Sequence, residues 1–359
     1  MHPGTELAVE ITGIAYGGDG IGRHEGRVVF VPFTIPGEKV RARVTRARSQ
    51  WVRASAVEIL RASPDRVTPP CPWFTHCGGC AYQHIAYDAQ LAVKTAQVAE
   101  TLRRLGKLPA PPVEPARPSP LPYGYRNRIT VHVEPPLIGF RGTNPRELVD
   151  VKQCLLADET VNIALHRLRL KKHPRPGPAT LRSDPAGHGF RQVNDGAAEI
   201  LAALVAEMAG AGKLLVDAYC GAGFFAKRLR GSFERVLGID WDTRSIEEAH
   251  REAHPGEEYL AGDAAELLRA ALGTPDSTVV LLDPPAQGLS PAVIDILLTT
   301  APTRLVYVSC DPATLARDLA RLSPRYELLR AAPVDMFPQT ASIETACLLT
   351  LRNPSAAAS

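Results

Sequence analysis

Three side chains able to carry covalent chemistry stand at the borders of short apolar runs late in the chain. Cys310 ends one such run, Asp283 ends an earlier one, and Glu344 comes just before the last. Short apolar runs of this kind predict buried strands, and open α/β sheets bind ligands beyond the carboxyl ends of their strands. A single cysteine is more often a small buried core residue. The carboxylates expected near Cys310 favour a nucleophile with a general base instead.

A glycine-rich turn upstream predicts a cofactor site. The segment 217–223 reads DAYCGAG and follows an apolar run, and Asp240 ends the next run, 17 positions after Gly223. A carboxylate at that place accepts the ribose hydroxyls of an adenosine cofactor. NAD is the first alternative, but Ala226 occupies the third glycine position of its fingerprint. The turn favours S-adenosylmethionine, with Asp263 accepting from the adenine amino group. A surface ion pair for Asp240 and a helix cap for Asp263 are the structural alternatives.

From residue 190 onwards, apolar runs alternate with helical patterns. The spacing predicts a helix over 197–209 and strands over 213–219, 235–240 and 278–283, with Cys310 ending a further strand. Such alternation is typical of a doubly wound parallel sheet. We therefore expect an α/β, Rossmann-like methyltransferase domain over residues 186–359.

The N-terminal part of the chain has a different pattern. Short strand-like runs separated by turn segments predict an OB-like β-barrel over residues 1–62. Such barrels bind nucleic acid through a basic face and stacking aromatic rings, for which Tyr16, Phe33 and Trp51 are available. Residues 63–185 combine further strands with Pro-rich links and an amphipathic helix over 86–106, and they predict a small mixed α+β domain.

Cysteines in this middle domain have the spacing of a metal site. Three of them form a C-x5-C-x2-C pattern with two glycines between the last two: Cys71, Cys77 and Cys80. Glycines let such a loop fold tightly around an ion or cluster, and Cys154 is the best fourth ligand. Four thiolates fit a [4Fe–4S] cluster or zinc. His76 and His84 are weaker alternatives as zinc ligands.

The charge and the hydropathy of the sequence limit the possible binding partners of the protein and its location in the cell. The net charge of the 359 residues is only +3, but the stretches 41–53 and 160–183 are rich in Arg and Lys and contain no acid. Basic stretches on a nearly neutral protein indicate a site for a polyanion such as RNA, with a solvated charged face as the alternative. The sequence has no apolar run of membrane-spanning length and no secretory pattern. We expect a cytoplasmic monomer without membrane contact.

Several segments together resemble the motifs of a known family. They are YRNR at 125–128, QVN at 192–194, the turn at 219–223, DPP at 283–285, SCDP at 309–312 and FPQTASIE at 337–344. With the barrel and the cysteine pattern, they resemble the RNA uracil-C5 methyltransferases of the 23S rRNA type, which carry a TRAM domain and a four-iron cluster. The resemblance implies that Cys310 is the nucleophile and Glu344 the base. It also implies that the following residues contact the cofactor or the target base: Gln192, Tyr219, Phe224, Asp240, Asp263 and Asp283.

The chemistry of uracil agrees with these roles. C5 of uracil is too weak a nucleophile to accept a methyl group until a thiolate adds at C6, which requires Cys310 in an accessible, electropositive setting. The methylated C5 still carries its hydrogen, which Glu344 must remove. Asp283 can accept a hydrogen bond from uracil N3–H and orient the ring. The base must leave its stack to reach such a pocket, which single-stranded RNA permits at low cost.

The sequence leaves three alternatives open for the function and the substrate. Ala286 stands where the family has Arg, and Ser342 stands where it has His. These departures favour a non-catalytic RNA-binding protein with a degenerate methylase fold. Methylation of cytosine C5 also uses a cysteine thiolate. Within the uracil reading, the resemblance favours rRNA over tRNA as the substrate.

Overall fold

The computed structural model describes residues 1–184, 191–272 and 278–352. Its contacts divide the chain into two compact units, each assembled from segments that are far apart in sequence. The first unit contains Met1–Gln97, Leu121–Pro185 and Phe337–Ser342, and the second contains Val98–Pro120, Ala186–Met336 and Ile343–Ser359. The division into consecutive domains at residues 62 and 185 stays a prediction.

In the described part of the first unit, five strands close a barrel. They are β1 (Glu6–Ile14), β2 (Asp19–His24), β3 (Arg27–Pro32), β4 (Lys39–Ala47) and β5 (Trp51–Arg61). They neighbour one another in the order β1-β2-β3-β5-β4. Alternate side chains point inward, as the period of a strand requires, so that Val9, Val40 and Val44 are buried. A Cβ on Gly22 would lie 2.3 Å from the carbonyl oxygen of Glu10, so the close strand contact there requires glycine. The predicted OB-like barrel is confirmed.

A small antiparallel sheet with a helix follows in the chain. The elements are α1 (Tyr87–Arg104), β6 (Arg128–Glu134), β7 (Leu137–Arg141), β8 (Leu148–Asp150), α2 (Glu159–Arg169) and β9 (Gly177–Arg182). Within the described residues the sheet order is β8-β7-β6-β9. Ile129, Val131 and Val133 of β6 pack against Val161 and Leu165 of α2. The opposite face of the sheet is polar as a consequence, because successive side chains of a strand alternate between its two faces.

The second unit is built on a larger sheet. Its elements are α3 (Asp195–Ala209), β10 (Gly212–Ala218), α4 (Ala226–Leu229), β11 (Phe233–Asp240), α5 (Thr243–Arg251), β12 (Glu257–Ala261), α6 (Ala264–Ala271), β13 (Thr278–Leu282), α7 (Pro291–Thr300), β14 (Arg304–Ser309), α8 (Pro312–Leu322), β15 (Tyr326–Val334) and β16 (Glu344–Leu351). Seven strands of the described chain lie in the order β12-β11-β10-β13-β14-β16-β15. The strands from β12 to β14 are parallel, whereas β16 runs antiparallel to both β14 and β15. This arrangement confirms the predicted Rossmann-like α/β fold.

Capping side chains fix where the helices of this unit begin. Asn194 caps α3, Ser290 caps α7 and Asp311 caps α8, and each accepts a hydrogen bond from a backbone N–H of the first turn. Cys310 is therefore the single residue between the end of β14 and the cap residue Asp311. None of the described helices combines the length and the apolar character needed to cross a membrane.

Candidate active site

The parallel strands of the large sheet end at a common edge. Ala218 pairs with both Ile239 and Leu282, and Leu282 pairs with Tyr307. The strand order reverses beside β10, with β11 and β12 on one side and β13 and β14 on the other. Open α/β sheets bind their ligands at such a switch point. Several predicted site residues stand at these strand ends or one position beyond them: Tyr219, Asp240, Asp283 and Cys310.

Cys310 and Glu344 lie at the adjoining ends of two antiparallel strands. Ser309 of β14 and Thr345 of β16 form the last pair of the register, so Cys310 directly follows this pair and Glu344 directly precedes it. The charge of Glu344 raises the pKa of Cys310, so the two groups are close in space. Cys310 is half-buried, while Glu344 is only 4% exposed. The structure therefore brings the predicted nucleophile and the predicted base close together.

The surroundings of Cys310 hold its thiol in the protonated form. Burial raises the pKa of Cys310 to about 11, and the charges of Glu344 and Asp283 act in the same direction. The sequence analysis predicted an electropositive setting, which is wrong for the chain by itself. The reason is the register, because the ends of β13 and β14 and the start of β16 each place an acidic residue at this edge. A positive charge brought to the edge lowers the pKa of the thiol.

The acidic residues of this edge raise one another's pKa values. Burial and the charge of Asp240 raise the pKa of Asp283 to about 7, and burial and Asp283 raise the pKa of Glu344 well above its usual range. Asp217 of β10 is fully buried, and one of its oxygens accepts from the N–H of Ala226 at 3.0 Å. Its other oxygen has no hydrogen-bond partner among the described residues. The sequence analysis gave Asp217 no role, although a carboxylate in an apolar run was a visible signal.

Residues with positive φ shape the turn that follows β10. The φ values are +68° for Tyr219, +53° for Gly221 and +81° for Gly223. A tyrosine in this region is strained, and such strain clusters at functional sites. The oxygens of Asp240 hold the turn, since one accepts from the N–H of Gly221 at 2.8 Å and the other from that of Asp242 at 2.9 Å. Each carboxylate oxygen has a second lone pair available for a hydroxyl group.

Asp263 is the N-cap of α6. Its Oδ1 accepts from the N–H groups of Ala265 at 2.9 Å and Glu266 at 3.1 Å, so the helix-cap alternative describes its contacts. The charge of Asp263 nevertheless acts on a residue of the cofactor turn. Burial first, and then the charge of Asp263, raise the pKa of Tyr219 to about 12. Asp263 therefore lies near the cofactor turn as well as at the helix start.

Phe224 and Gln192 are also part of the second unit. The ring of Phe224 lies under the guanidinium of Arg228, whose central carbon is 4.0 Å from the ring centroid. Gln192 is 8% exposed and precedes the cap residue Asn194 by two positions. Both residues are held by the local structure, which limits how far their side chains can move.

The cysteines of the predicted metal site lie in two loops of the first unit. Cys71, Cys77 and Cys80 precede α1, and Cys154 precedes α2. All are half-buried free thiols. Burial raises the pKa of Cys80 to about 12, and the charges of Cys154 and Cys77 add to this effect. Cys71 acts on Cys77 and Cys154 in the same way. The sulfur atoms are therefore close enough to influence one another.

Hydrogen-bond donors point at these sulfur atoms. The donors are the backbone N–H groups of Gly79, Leu156 and Ala157 and the side chain of Gln83. Among the described residues, however, no group of three or more His, Cys, Asp or Glu side chains is placed to hold a metal ion. The imidazole of His84, the weaker zinc candidate, is buried against the ring of Phe74, with 5.5 Å between the ring centroids.

Comparison with known proteins yields matches to both parts of the chain. The TRAM domain family matches residues 2–57, and the family described as tRNA (Uracil-5-)-methyltransferase matches residues 267–352. An uncharacterized RNA methyltransferase of Nitratidesulfovibrio vulgaris is 32% identical over 97% of this chain and 96% of its own length. Another, of Bdellovibrio bacteriovorus, is 33% identical over 95% of this chain and 94% of its own.

A solved structure has the same fold across almost the whole chain. It is the tRNA (uracil-54, C5)-methyltransferase of Pyrococcus abyssi in complex with S-adenosyl-L-homocysteine, with a TM-score of 0.72, 24% identity and coverage of 96% of this chain and 100% of that one. The fold thus defines the class as a methyltransferase. The chain belongs to the RNA uracil-5 methyltransferase family, as the motif resemblance in the sequence implied.

The pairing of Cys310 with Glu344 generates a first prediction. Because the negative charge of Glu344 opposes the thiolate, Glu344→Gln is expected to lower the pKa of Cys310 and to speed its alkylation by iodoacetamide at about pH 8.5 by roughly threefold to tenfold. Peptide-resolved mass spectrometry measures the rate at Cys310 alone.

Glu327→Gln, which removes an exposed carboxylate from β15, is the matched control and is expected to leave the rate unchanged. An unchanged rate in a normally folded Glu344→Gln protein would mean that this carboxyl group does not act on the thiol.

Proposed function

We propose that the protein transfers a methyl group from S-adenosylmethionine to C5 of a uracil in RNA, through a covalent bond between Cys310 and C6 of the ring. The placement of Cys310 and Glu344 at the adjoining ends of β14 and β16, where the charge of Glu344 acts on the thiol, supports this mechanism most strongly. A base must act on C5 while the sulfur is bonded to the neighbouring carbon, C6. Two groups held close together at the ends of paired strands meet that requirement.

Cys310 must lose its proton before it can add to the ring, and its raised pKa opposes this step. S-adenosylmethionine, when bound, supplies the methyl group on a positively charged sulfonium. Two residues at the edge suit a cationic ligand: Asp217 is buried with an oxygen that has no hydrogen-bond partner among the described residues, and the pKa of Asp283 is raised. Compensation of these charges lowers the pKa of Cys310. The thiol of Cys310 is therefore activated only when a cationic ligand occupies this edge of the sheet.

Glu344 completes the reaction. Burial and the neighbouring Asp283 raise its pKa, so its carboxylate accepts a proton readily near neutral pH. The C5 proton passes to Glu344, the electrons of the C5–H bond form the C5–C6 double bond again, and the sulfur of Cys310 leaves as a thiolate. Asp283 accepts a hydrogen bond from uracil N3–H and orients the ring.

We assign the remaining site residues to the cofactor or the target base. The unused lone pairs of Asp240 suit ribose hydroxyls, and Asp263 suits the adenine amino group. Tyr219, Phe224 and Gln192 line the same binding region in this proposal. The strained backbone of Tyr219 supports its assignment, because such strain clusters at functional sites.

We further propose that the cysteines at 71, 77, 80 and 154 hold a [4Fe–4S] cluster. Their partial burial and their N–H donors match what cluster sulfurs require. Four cysteine thiolates are the donor set of a [4Fe–4S] cluster, and zinc is the alternative. The role of the cluster is structural, since it would link the loop before α1 to the loop before α2.

The charges of the first unit support a proposal for the surface that binds RNA. On the barrel, Arg41 and Arg43 form ion pairs with Glu58 and Glu6 at 2.6 and 2.8 Å. The second basic stretch is different, because Arg169 is its only member with an ion pair among the described residues. The others are exposed or half-buried: Arg167, Lys171, Lys172, Arg175 and Arg182.

The polar face of the small sheet carries further positive charge. Arg128 lies directly opposite Arg182 in the pairing of β6 with β9. The hydroxyls of Thr130 and Thr180 lie 3.1 Å apart on the same two strands. We propose that this face and residues 167–182 bind the RNA backbone. The barrel and the cysteine site favour 23S rRNA as the substrate, with tRNA as the alternative.

The mechanism predicts opposite behaviour for two variants. Cys310→Ala is expected to lower methylation by at least about a thousandfold, because the nucleophile is lost. Glu344→Gln is expected to accumulate a covalent RNA–protein complex, because the C5 proton stays in place. Labelled S-adenosylmethionine, 23S rRNA fragments and tRNA, with mass spectrometry of the nucleosides and denaturing gels, measure both outcomes.

Cys347→Ala, a buried thiol of the same strand pair, is the control and should retain activity. Wild-type product from Cys310→Ala would contradict the mechanism. A 5-methylcytidine product would contradict the uracil assignment, and RNA affinity without any product from the wild type would favour the non-catalytic alternative.

The charge analysis predicts unequal effects from equal losses of charge. Replacing Lys171, Lys172 and Arg175 together by Gln is expected to weaken RNA binding by about tenfold near 0.1 M salt and to reduce the slope of log K against log salt by about 2. Replacing Arg41, Arg43 and Arg53 by Gln removes the same charge but from ion-paired positions, and the slope should change little. Equal effects of the two triple variants on the slope would show that residues 171–175 contribute no more to RNA binding than the ion-paired arginines of the barrel.

The cysteine site predicts a change in metal content. Cys80→Ser is expected to lower the iron and acid-labile sulfide of protein purified without oxygen and to reduce its thermal stability. Cys220→Ser, a buried thiol of the second unit, should leave the iron content unchanged. Wild-type protein that contains one zinc and no sulfide would instead support the zinc alternative.

A further inference from the structure

The chain turns sharply after Asp283, and helix α8 holds this turn from outside. The N–H of Gly288 donates to the carbonyl of Pro285 at 2.8 Å and closes the turn. The Nη2 group of Arg317 donates to the carbonyl of Gln287 at 2.6 Å. The next residue, Asp318, accepts from the N–H of Leu289 at 2.8 Å. Two consecutive residues of α8 therefore hold two backbone groups of the turn.

The side chain of Asp318 is itself rigidly held. It is fully buried, and it accepts from the hydroxyl of Tyr307 at 2.9 Å and from Nε of Arg317 at 2.9 Å. Tyr307 belongs to β14 and pairs with Leu282, the residue just before Asp283. A buried carboxylate with this many donors is costly to disturb, because each donor would lose a charge-assisted hydrogen bond.

Gly288 shows how closely the turn fits. Its φ is +76°, and a Cβ built on it would lie 2.3 Å from Oδ2 of Asp318 and 2.5 Å from Nη2 of Arg317. A side chain at this position would separate the turn from the helix. The exposed Ala286 offers no polar group to hold the turn from its other side.

The same helix begins two residues after Cys310. Asp311 caps α8 through the N–H of Thr314 at 2.8 Å, and its own N–H donates to Oγ of Ser309 at 3.2 Å. A short rigid path therefore runs from the thiol through the first two turns of α8 to Arg317. A second short path runs from the turn back to Asp283.

We propose that Arg317 and Asp318 are positioning residues that fix Asp283 relative to Cys310. This inference rests on the proposed function for its effect on methylation, but not for its effect on the thiol. Asp283 is one of the groups that act on Cys310, so a turn released from α8 exposes the thiol and moves the carboxylate away from it. The orientation of the ring by Asp283 then becomes less accurate.

Arg317→Gln tests the proposal with two readouts. Alkylation of Cys310 by iodoacetamide at about pH 8.5 should be several-fold faster, while alkylation of the buried Cys220 and Cys347 stays slow. In the methylation assay, kcat should fall by about tenfold with KM for RNA unchanged. Arg317→Lys, which keeps a cationic donor, should recover part of both changes.

Arg321→Gln is the matched control. Arg321 lies on the same helix, 3.6 Å from the same carboxylate, and no contact in the described chain joins it to the turn. It should leave both readouts unchanged, as should Gln287→Ala, because only the backbone carbonyl of Gln287 is used. Gly288→Ala should reproduce the effects of Arg317→Gln.

Unchanged alkylation at Cys310 in both Arg317→Gln and Gly288→Ala would overturn the proposal. Equal acceleration at Cys220 and Cys347 would also overturn it, since it would indicate general loosening of the fold. Failure of the wild type to methylate RNA would contradict the proposed function alone, because the alkylation readout uses neither RNA nor cofactor.

Discussion

The antiparallel pairing of β16 with β14 is the contact on which the candidate active site depends. In a purely parallel sheet every strand presents its carboxyl end to the ligand edge. Because β16 runs the other way, the start of this strand meets the end of β14 at that edge. Glu344 begins its strand and Cys310 directly follows its own, so the paired residues Ser309 and Thr345 hold the backbone next to both functional groups. Fixed positions suit a reaction in which one group acts on a carbon atom and the other acts on the neighbouring carbon atom.

The electrostatics of the edge follow from the same pairing. Asp217, Asp283 and Glu344 are brought together with little solvent, and their raised pKa values show that charge is unfavourable there. A fold optimised only for stability would avoid such a cluster. In the proposed function, the cationic methyl donor offsets this repulsion when it binds.

The tertiary structure places different neighbours beside the two basic stretches. Arg41 and Arg43 lie on β4, and barrel closure places Glu6 and Glu58 of the neighbouring strands beside them. In the small sheet the pairing of β6 with β9 instead places Arg128 opposite Arg182. Segments of similar composition thus differ in the charges that lie across the strand from them. The composition of a segment does not show these cross-strand neighbours.

The sequence by itself determined the features that arise from local physics. Strand periodicity and turn chemistry were enough for the barrel, the α/β sheet and the placement of Asp240, Asp283 and Cys310 at strand ends, and the motifs were enough for the family. Cross-strand register, the acidic setting of Cys310, the part of Asp217 and the contact of Arg317 with Gln287 came only from the tertiary structure. Each of these joins residues that are distant in the chain, and no local pattern specifies which distant partner a side chain meets.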